Sequence, residues 1–195
     1  VQDPHGTDGT LNAEPRTEAP ALGNDVPPEE WHQYGRTNFG QRYSPLDQIT
    51  TANVANLREV WRYQTGDVKR PDDVNETTYQ VTPLKVGDKL YLCTPHNIAI
   101  ALEAKTGKEI WRYDANSGMN PDRQHQTCRG VTYWNMADMP ATTAPATPAA
   151  PEDCPTRVYM PTADARLIAL NAETGEVCTS FANQGVLRLE AGMPF

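Results

Sequence analysis

An internal repeat limits what this chain can fold into more than any other feature of its sequence. The segment IAIALEAKTGKEIWRY begins at Ile98, and RLIALNAETGEVCTSF begins at Arg166, so the two copies align at an offset of 68 residues. A shorter repeat, WRY, occurs at Trp61 and again at Trp111, 50 residues apart. The simplest account is a unit of about 50 residues whose second copy carries an 18-residue insertion within the Pro/Ala-rich segment 141–155.

Each copy of the repeat is predicted to form four short β-strands. In the first copy, VTPLKV and KLYLCT flank a turn at Gly87, and IAIALEA and KEIWRY flank a turn that ends at Gly107. Glycine supplies the positive φ that such turns need, and the alternation of Val, Ile, Tyr and Trp with polar residues favours strands. One helical candidate covers 51–60, with Thr50 or Thr51 as its N-cap. The predicted strands are 81–86, 89–94, 98–102 and 109–113 in the first sheet and 130–134, 157–160, 167–170 and 176–181 in the second.

Four-stranded repeats with a tryptophan on the last strand are typical of β-propeller blades. We therefore predict an all-β fold for residues 29–195, made of about two four-stranded antiparallel blades. Residues 1–28 hold five of the 17 prolines and no apolar periodicity, which predicts an extended or disordered linker. A complete propeller needs about four to eight blades, so we expect the chain to be part of a longer protein. A free-standing β-sandwich is the alternative, but it does not explain the repeat.

Composition excludes several classes of function. The net charge of −8 and the pI of about 5.0 disfavour a nucleic-acid partner, which would need a basic face. No stretch approaches the roughly 20 apolar residues of a membrane span. Four cysteines, none in a CxxC pair, argue against a zinc site. The even number fits two disulfides and four buried thiols equally well. The cysteines are Cys93, Cys128, Cys154 and Cys178.

The repeat carries a resemblance to a known family. ALEAKTGKEIW, which ends at Trp111, resembles the tryptophan-docking motif of quinoprotein (PQQ) dehydrogenases, whereas the second copy has Thr179 at the tryptophan position and should dock more weakly. Over residues 30–195 the sequence is similar to the membrane-bound glucose dehydrogenase branch, and quinate dehydrogenases share most of these motifs. The stretches that carry this likeness are WHQYGRTNFGQRYSPLDQI from Trp31, VWRYQTGD from Val60, YQVTPLKVGDKLYLCTPHN from Tyr79, QHQTCRGVTY from Gln124 and FANQGVL from Phe181.

The resemblance implies a fragment of an eight-bladed propeller with PQQ on its central axis. It also implies a divalent cation, calcium or magnesium, held by residues outside this chain, and a catalytic Asp in a later blade. No catalytic or metal-binding residue is therefore assigned here, and the isolated chain is expected to be inactive. The family passes electrons to ubiquinone through a membrane segment that this chain lacks. These properties imply the periplasmic face of the bacterial inner membrane and contacts with the remaining propeller blades.

Three positions match cofactor-binding positions of the family. Gln80 stands where relatives present Glu or Gln to PQQ, and Arg129 matches an Arg that pairs with a PQQ carboxylate, as a planar guanidinium can. His125 matches a His that covers the quinone plane and contacts the sugar substrate. Without the resemblance all three would be interpreted as ordinary surface or packing residues. His32 and His96 match no such role and are predicted to be structural, and Asp47, Asp67 and Asp88 are predicted to cap loops.

The blade architecture also suggests a pairing for the cysteines. Strands of a blade alternate in direction, which places Cys93 and Cys128 at the cofactor end and Cys154 and Cys178 at the opposite end. We therefore expect the disulfides Cys93–Cys128 and Cys154–Cys178.

The function that these observations favour is PQQ-dependent oxidation of an aldose, with D-glucose converted to gluconolactone. One alternative is a quinate or shikimate dehydrogenase with the same cofactor. Another is a non-catalytic propeller that acts as a scaffold for protein contacts. The stretch QHQTCRG together with Gln80 favours an enzyme, because a scaffold has no need of it.

Overall fold

A computed structural model describes residues 26–37, 39–118, 125–138 and 153–190. Most of the predicted linker 1–28 and of the Pro/Ala-rich segment 141–155 lies outside these ranges. Within them, none of the helices has the length and apolar character needed to cross a bilayer. The described strands are β1 (Glu76–Thr77), β2 (Leu84–Val86), β3 (Lys89–Cys93), β4 (Ile98–Glu103), β5 (Glu109–Asp114), β6 (His125–Gln126), β7 (Thr132–Asn135), β8 (Thr156–Pro161), β9 (Arg166–Asn171) and β10 (Val186–Arg188).

These strands form two four-stranded antiparallel sheets and one two-stranded parallel pair, which confirms the all-β prediction. The first sheet has the order β2-β3-β4-β5, as the repeat predicts, although its first strand begins at Leu84 rather than at Val81. Strand β4 is buried from Ile98 to Leu102, because it lies between β3 and β5 and carries an almost continuous apolar run. Gly87, with φ +59°, closes the β2–β3 hairpin in a conformation that favours glycine.

The second sheet, with the order β10-β9-β8-β7, differs from the prediction at its fourth strand. The segment 176–181 was expected to pair along β9, but it contributes a single bridge between Val177 and Leu170. Strand β10 takes its place and pairs with β9 from Val186 onward. The Cys178 N–H and the Gly185 carbonyl oxygen both bond to Ala169 of β9, and residues 179–184 between them leave the sheet and split the fourth strand.

A disulfide and a carboxylate hold this excursion in place. Cys178 is bonded to Cys154, and the Asp153 carboxylate accepts hydrogen bonds from the Thr179 hydroxyl at 3.0 Å and the Ser180 N–H at 3.1 Å. These bonds compete with continued pairing along β9, which is why the strand prediction was wrong here. Thr179, the residue at the tryptophan position of the second repeat, bonds to Asp153.

The helical candidate 51–60 is also wrong, since only Val54–Asn56 forms a short 3₁₀-helix. The Asn53 side-chain oxygen accepts the Thr50 N–H at 2.7 Å and so stabilises a local turn. Every residue of 51–60 is exposed, so the helix would gain no packing energy. Short helices are marginal in water without such packing.

Tryptophan side chains pack on a turn glycine of each sheet. Trp111 of β5 lies against Gly175 in the turn that follows β9, and its indole N–H donates to the Ala172 carbonyl oxygen at 2.9 Å. A methyl group on Gly175 would stand 2.7 Å from the Trp111 ring, so only glycine leaves room for this contact. Trp61 meets Gly107 of the first sheet in the same way. At Trp111 the docking motif therefore links the first sheet to the second.

Both predicted disulfides are present, Cys93–Cys128 and Cys154–Cys178. The first joins the end of β3 to the segment that leads into β7, and so ties the two sheets together at the end where β6 lies. Tyr91, fully enclosed between the sheets, donates a hydrogen bond to the Ala172 carbonyl oxygen at 3.1 Å. The main apolar cluster includes buried residues of both sheets, which makes them one packed unit.

Candidate functional site

The predicted cofactor residues lie on two neighbouring extended segments, 76–82 and 125–129, which we call the ribbon. Strands β1 and β6 pair in parallel, with Glu76 opposite His125. Beyond the strands the segments stay together, because the Thr82 N–H donates to the Arg129 carbonyl oxygen at 3.1 Å. The ribbon therefore brings Gln80, His125 and Arg129 to one region. No hydrogen bond joins their side chains to one another among the described residues.

The two faces of the ribbon have different surroundings. Gln126 and Cys128 are buried, and they fix the ribbon to the first sheet. The Gln126 side-chain NH₂ donates to the Pro95 carbonyl oxygen at 2.9 Å, and Cys128 is disulfide-bonded to Cys93. Side chains of an extended segment alternate between opposite faces. His125, Thr127 and Arg129 are therefore expected on the face away from the sheet.

This outer face has buried polar atoms that make no hydrogen bond to any of the described residues. The Thr78 and Thr127 hydroxyl oxygens and His125 Nδ1 are buried and make no hydrogen bond. His125 Nδ1 is 3.2 Å from a Glu76 carboxylate oxygen, close enough for an ion pair when the ring is protonated. The Arg129 side chain is exposed, and within the described part of the chain no carboxylate neutralises it.

Buried polar atoms without hydrogen-bond partners raise the free energy of the site, and a polar ligand would lower it. A ligand with carboxylates and a planar ring matches this donor set, since a guanidinium binds carboxylates and an imidazole can stack. Gln80 is exposed on the neighbouring segment and offers an amide. The residues present therefore fit PQQ.

A second cluster, centred on His96, lies beside the ribbon and was not predicted as a site. The His96 side chain is only 4% exposed, and each ring nitrogen faces a different carboxylate. Nδ1 is 2.5 Å from Asp67 and Nε2 is 2.9 Å from Asp73. Both nitrogens can donate only when the ring carries two protons, so the geometry is that of the imidazolium. Asp67 also accepts the His96 N–H at 2.9 Å, so it does more than cap a loop.

Electrostatics at Asp73 follow from these contacts. Burial alone would raise the pKa of the Asp73 carboxyl, but hydrogen bonds from His96, the Arg70 N–H and the Thr77 hydroxyl, together with the His96 charge, lower it to about 2. The ordinary value is 3.8. The ionised carboxylate is therefore the form that the fold stabilises.

We expect the Asp73 carboxylate to make the free energy of unfolding depend on pH in the acid range. Because the folded-state pKa is the lower one, the contribution of Asp73 is complete above pH 3.8 and is lost as the pH falls towards about 2. Urea denaturation of the 195-residue chain should show wild type more stable than Asp73→Asn at about pH 5, with the gap narrowing by about pH 2.5. Asp72→Asn, at the exposed neighbouring carboxylate, serves as the control. A gap that stays constant with pH would contradict this assignment.

The sequence and the fold of this chain are similar to those of known proteins. Residues 31–195 match the family model described as "PQQ: Glucose/ethanol/alcohol dehydrogenase, beta-propeller domain". The quinoprotein glucose dehydrogenase of Escherichia coli (strain K12) is 50% identical over 192 residues, which are 98% of this chain and 23% of that enzyme. The quinate/shikimate dehydrogenase (quinone) of Acinetobacter baylyi is 42% identical over 169 residues, 84% of this chain and 20% of that enzyme.

A solved structure gives the same answer for the fold. The quinohemoprotein alcohol dehydrogenase ADHIIG of Pseudomonas putida HK5 superposes with a TM-score of 0.61 at 28% identity, over 84% of this chain and 19% of that protein. The chain thus spans less than a quarter of the length of each of these relatives. The match over most of its own length shows that this chain belongs to the family of PQQ-dependent glucose, ethanol and alcohol dehydrogenases, of whose β-propeller domain it forms a part.

Proposed function

We propose that this chain supplies one wall of the cofactor site in a PQQ-dependent dehydrogenase that oxidises D-glucose to gluconolactone. The observation that carries the proposal is the ribbon, where Gln80, His125 and Arg129 lie on adjacent segments beside unpaired polar atoms. The identity of 50% with a quinoprotein glucose dehydrogenase supports glucose over other substrates. The chain spans 23% of that relative, and the activity that we propose is that of the complete protein.

Each ribbon residue has a role that its chemistry suits. The Arg129 guanidinium pairs with a carboxylate of the cofactor and fixes its position. The His125 ring covers the quinone plane, and one of its nitrogens contacts a hydroxyl of the sugar. Gln80 adds a polar contact from the neighbouring segment. Bound PQQ supplies the quinone that accepts a hydride from the substrate.

The remaining parts of the reaction are assigned outside this chain. A catalytic Asp and the ligands of a calcium or magnesium ion come from later blades. We place the complete protein at the periplasmic face of the inner membrane, where ubiquinone accepts the electrons. The 195-residue chain alone has no assigned base or metal ligand, so it should not turn over glucose.

The experiment is a dye-linked assay of the complete protein, reconstituted with PQQ and calcium. Oxidation of glucose in preference to quinate is the expected result. Preference for quinate would favour the alternative that the 42% identical relative raises. A complete protein that neither binds PQQ nor oxidises either substrate would favour the non-catalytic scaffold. Glucose turnover by the 195-residue chain would contradict the division of roles.

Substitution of His125 tests its assigned contact with the sugar. Loss of one hydrogen-bonding or stacking contact should cost about 1–3 kcal/mol, or roughly 5- to 150-fold in the Michaelis constant for glucose. His125→Ala should also weaken PQQ binding, while kcat at saturating PQQ and glucose changes less, because His125 is not the base. His32→Ala is the matched control, since His32 is a half-buried histidine 3.4 Å from Glu30. An unchanged Michaelis constant and PQQ affinity would remove His125 from the site.

A further inference from the structure

The His96 cluster is connected to the ribbon by two separate routes. Through its ring, His96 holds Asp73, and the Thr77 hydroxyl of β1 donates to the same carboxylate at 3.0 Å. Through the backbone next to it, the Pro95 carbonyl oxygen accepts the Gln126 side chain of β6. Thr77 and Gln126 are paired with each other. The contacts therefore form a closed network, which we call the contact network, and it includes both strands of the ribbon.

The contact network holds the inner face of the ribbon, opposite the proposed cofactor face. Thr77 and Gln126 alternate with Glu76 and His125, so their side chains leave the ribbon on the other side. The position of the outer face is consequently set by what holds the inner face. The Cys93–Cys128 disulfide anchors one end of segment 125–129. Strands β1 and β6 have only two residues each, so few backbone hydrogen bonds hold the rest of the ribbon.

His96 is the centre of the contact network because its charge lies between two buried carboxylates. The Asp67 side chain is 1% exposed and that of Asp73 is fully buried, and the imidazolium lies between them. The only other charged side chain within ion-pair distance of these carboxylates, among the described residues, is Arg70, whose guanidinium is 3.8 Å from Asp67. A neutral side chain at position 96 would leave two buried carboxylates without their shared counter-charge, which is strongly unfavourable. We expect Asp73 to move away and to release Thr77.

We infer that His96 is a positioning residue for cofactor binding: it holds the ribbon in the geometry that aims His125 and Arg129 at the ligand. This inference rests on the proposed function. Among the described residues, the hydrogen bonds that connect His96 to the ribbon run through Asp73 and the neighbouring Pro95 carbonyl, so His96 acts through other residues. Binding groups must be held within a fraction of an ångström of their productive positions, which two-residue strands alone do not ensure.

The test compares His96→Gln with wild type in the complete protein. The PQQ dissociation constant, measured by fluorescence titration of the apoprotein well below its unfolding temperature, should rise by about tenfold or more. At saturating PQQ, kcat and the Michaelis constant for glucose should stay within about threefold, because the chemical groups are intact. His32→Gln, which alters a histidine–carboxylate pair away from the ribbon, should leave the PQQ dissociation constant unchanged.

A second measurement needs no cofactor. Hydrogen exchange of the apoprotein should become faster in the peptides that cover the ribbon in His96→Gln, including the amides of Thr78 and Thr82 that donate across it. It should not change in β8 and β9. Unchanged exchange in the ribbon would overturn the inference whatever the cofactor does. Faster exchange with an unchanged PQQ dissociation constant would overturn the positioning role.

Two further variants keep the inference falsifiable if His96→Gln does not fold. Thr77→Val removes only the hydroxyl that joins the contact network to β1. It should weaken PQQ binding several-fold although His96 is still in place. Thr77→Val and Asp73→Asn should be combined in a double-mutant cycle. Their effects on the free energy of PQQ binding should be strongly non-additive. If the wild-type protein binds PQQ and Thr77→Val does not weaken that binding, the inference is overturned but the proposed function is not. Failure of the wild-type protein to bind PQQ would overturn the proposed function and the inference with it.

Discussion

Replacement of Trp111 by Ala should destabilise the 195-residue chain by about 3–5 kcal/mol, as expected for removal of a large buried aromatic side chain. Trp111 is 7% exposed, packs on Gly175 and donates a hydrogen bond to Ala172. The indole therefore packs against both sheets, and its loss leaves a cavity between them and removes one of the two hydrogen bonds to the Ala172 carbonyl oxygen, the other coming from Tyr91. Urea denaturation followed by circular dichroism gives the free energy of unfolding.

Trp61→Ala is the matched control for this experiment. Trp61 makes the same kind of contact with Gly107, but it is only half-buried and precedes the first sheet. Its replacement should cost about half as much or less, since less apolar surface leaves water on folding. Equal costs for the two variants, or a cost below about 1 kcal/mol for Trp111→Ala, would show that the docking contact does not join the sheets.

Replacement of Arg129 by Ala should weaken PQQ binding to the complete protein by about 10- to 150-fold. A hydrogen bond to a charged group contributes about 1.5–3 kcal/mol, and the bidentate pair proposed here belongs at the upper end. Lysine at this position should restore only part of the affinity, because an ammonium group cannot form the planar pair. The Michaelis constant for glucose at saturating PQQ should change little, since Arg129 contacts the cofactor and not the sugar.

Arg188→Ala controls for the loss of one positive charge. Arg188 is exposed on β10, the edge strand of the second sheet opposite β7, and lies 3.6 Å from Glu190. Its removal should leave the PQQ dissociation constant unchanged. Equal effects of the two substitutions would indicate general attraction between the protein and an anionic cofactor, and would contradict a specific pair at Arg129.

The repeat was sufficient to predict most of the fold because each strand of a blade pairs with the strand that precedes or follows it in the sequence. Strands β2 to β5 follow one another along the chain and are joined by short turns, so alternation and turn glycines determine them. The disulfide pairs could be predicted once strand directions were assigned. The fourth strand of the second sheet could not be predicted, because Asp153 and the Cys154–Cys178 bond redirect the chain after Cys178. Those contacts come from outside the strand and leave no periodic signal in it.

The candidate site was less accessible to sequence reasoning. Gln80, His125 and Arg129 were identified by resemblance, and nothing in the local pattern predicted that two-residue strands would pair in parallel. The His96 cluster was missed because its carboxylates lie 23 and 29 residues away, in a stretch without regular structure. One signal was present: a histidine between two strongly apolar strands is expected to be buried, and a buried imidazole needs partners at both nitrogens.

The most direct test of the account is the structure of the complete protein with PQQ bound. We expect Arg129 guanidinium nitrogens about 2.7–2.9 Å from a carboxylate of the cofactor. The His125 ring should lie about 3.5–4.0 Å from the quinone plane, in van der Waals contact. PQQ held by other blades, with Arg129 and His125 both facing water or protein, would contradict the assignment of the ribbon as one wall of the cofactor site.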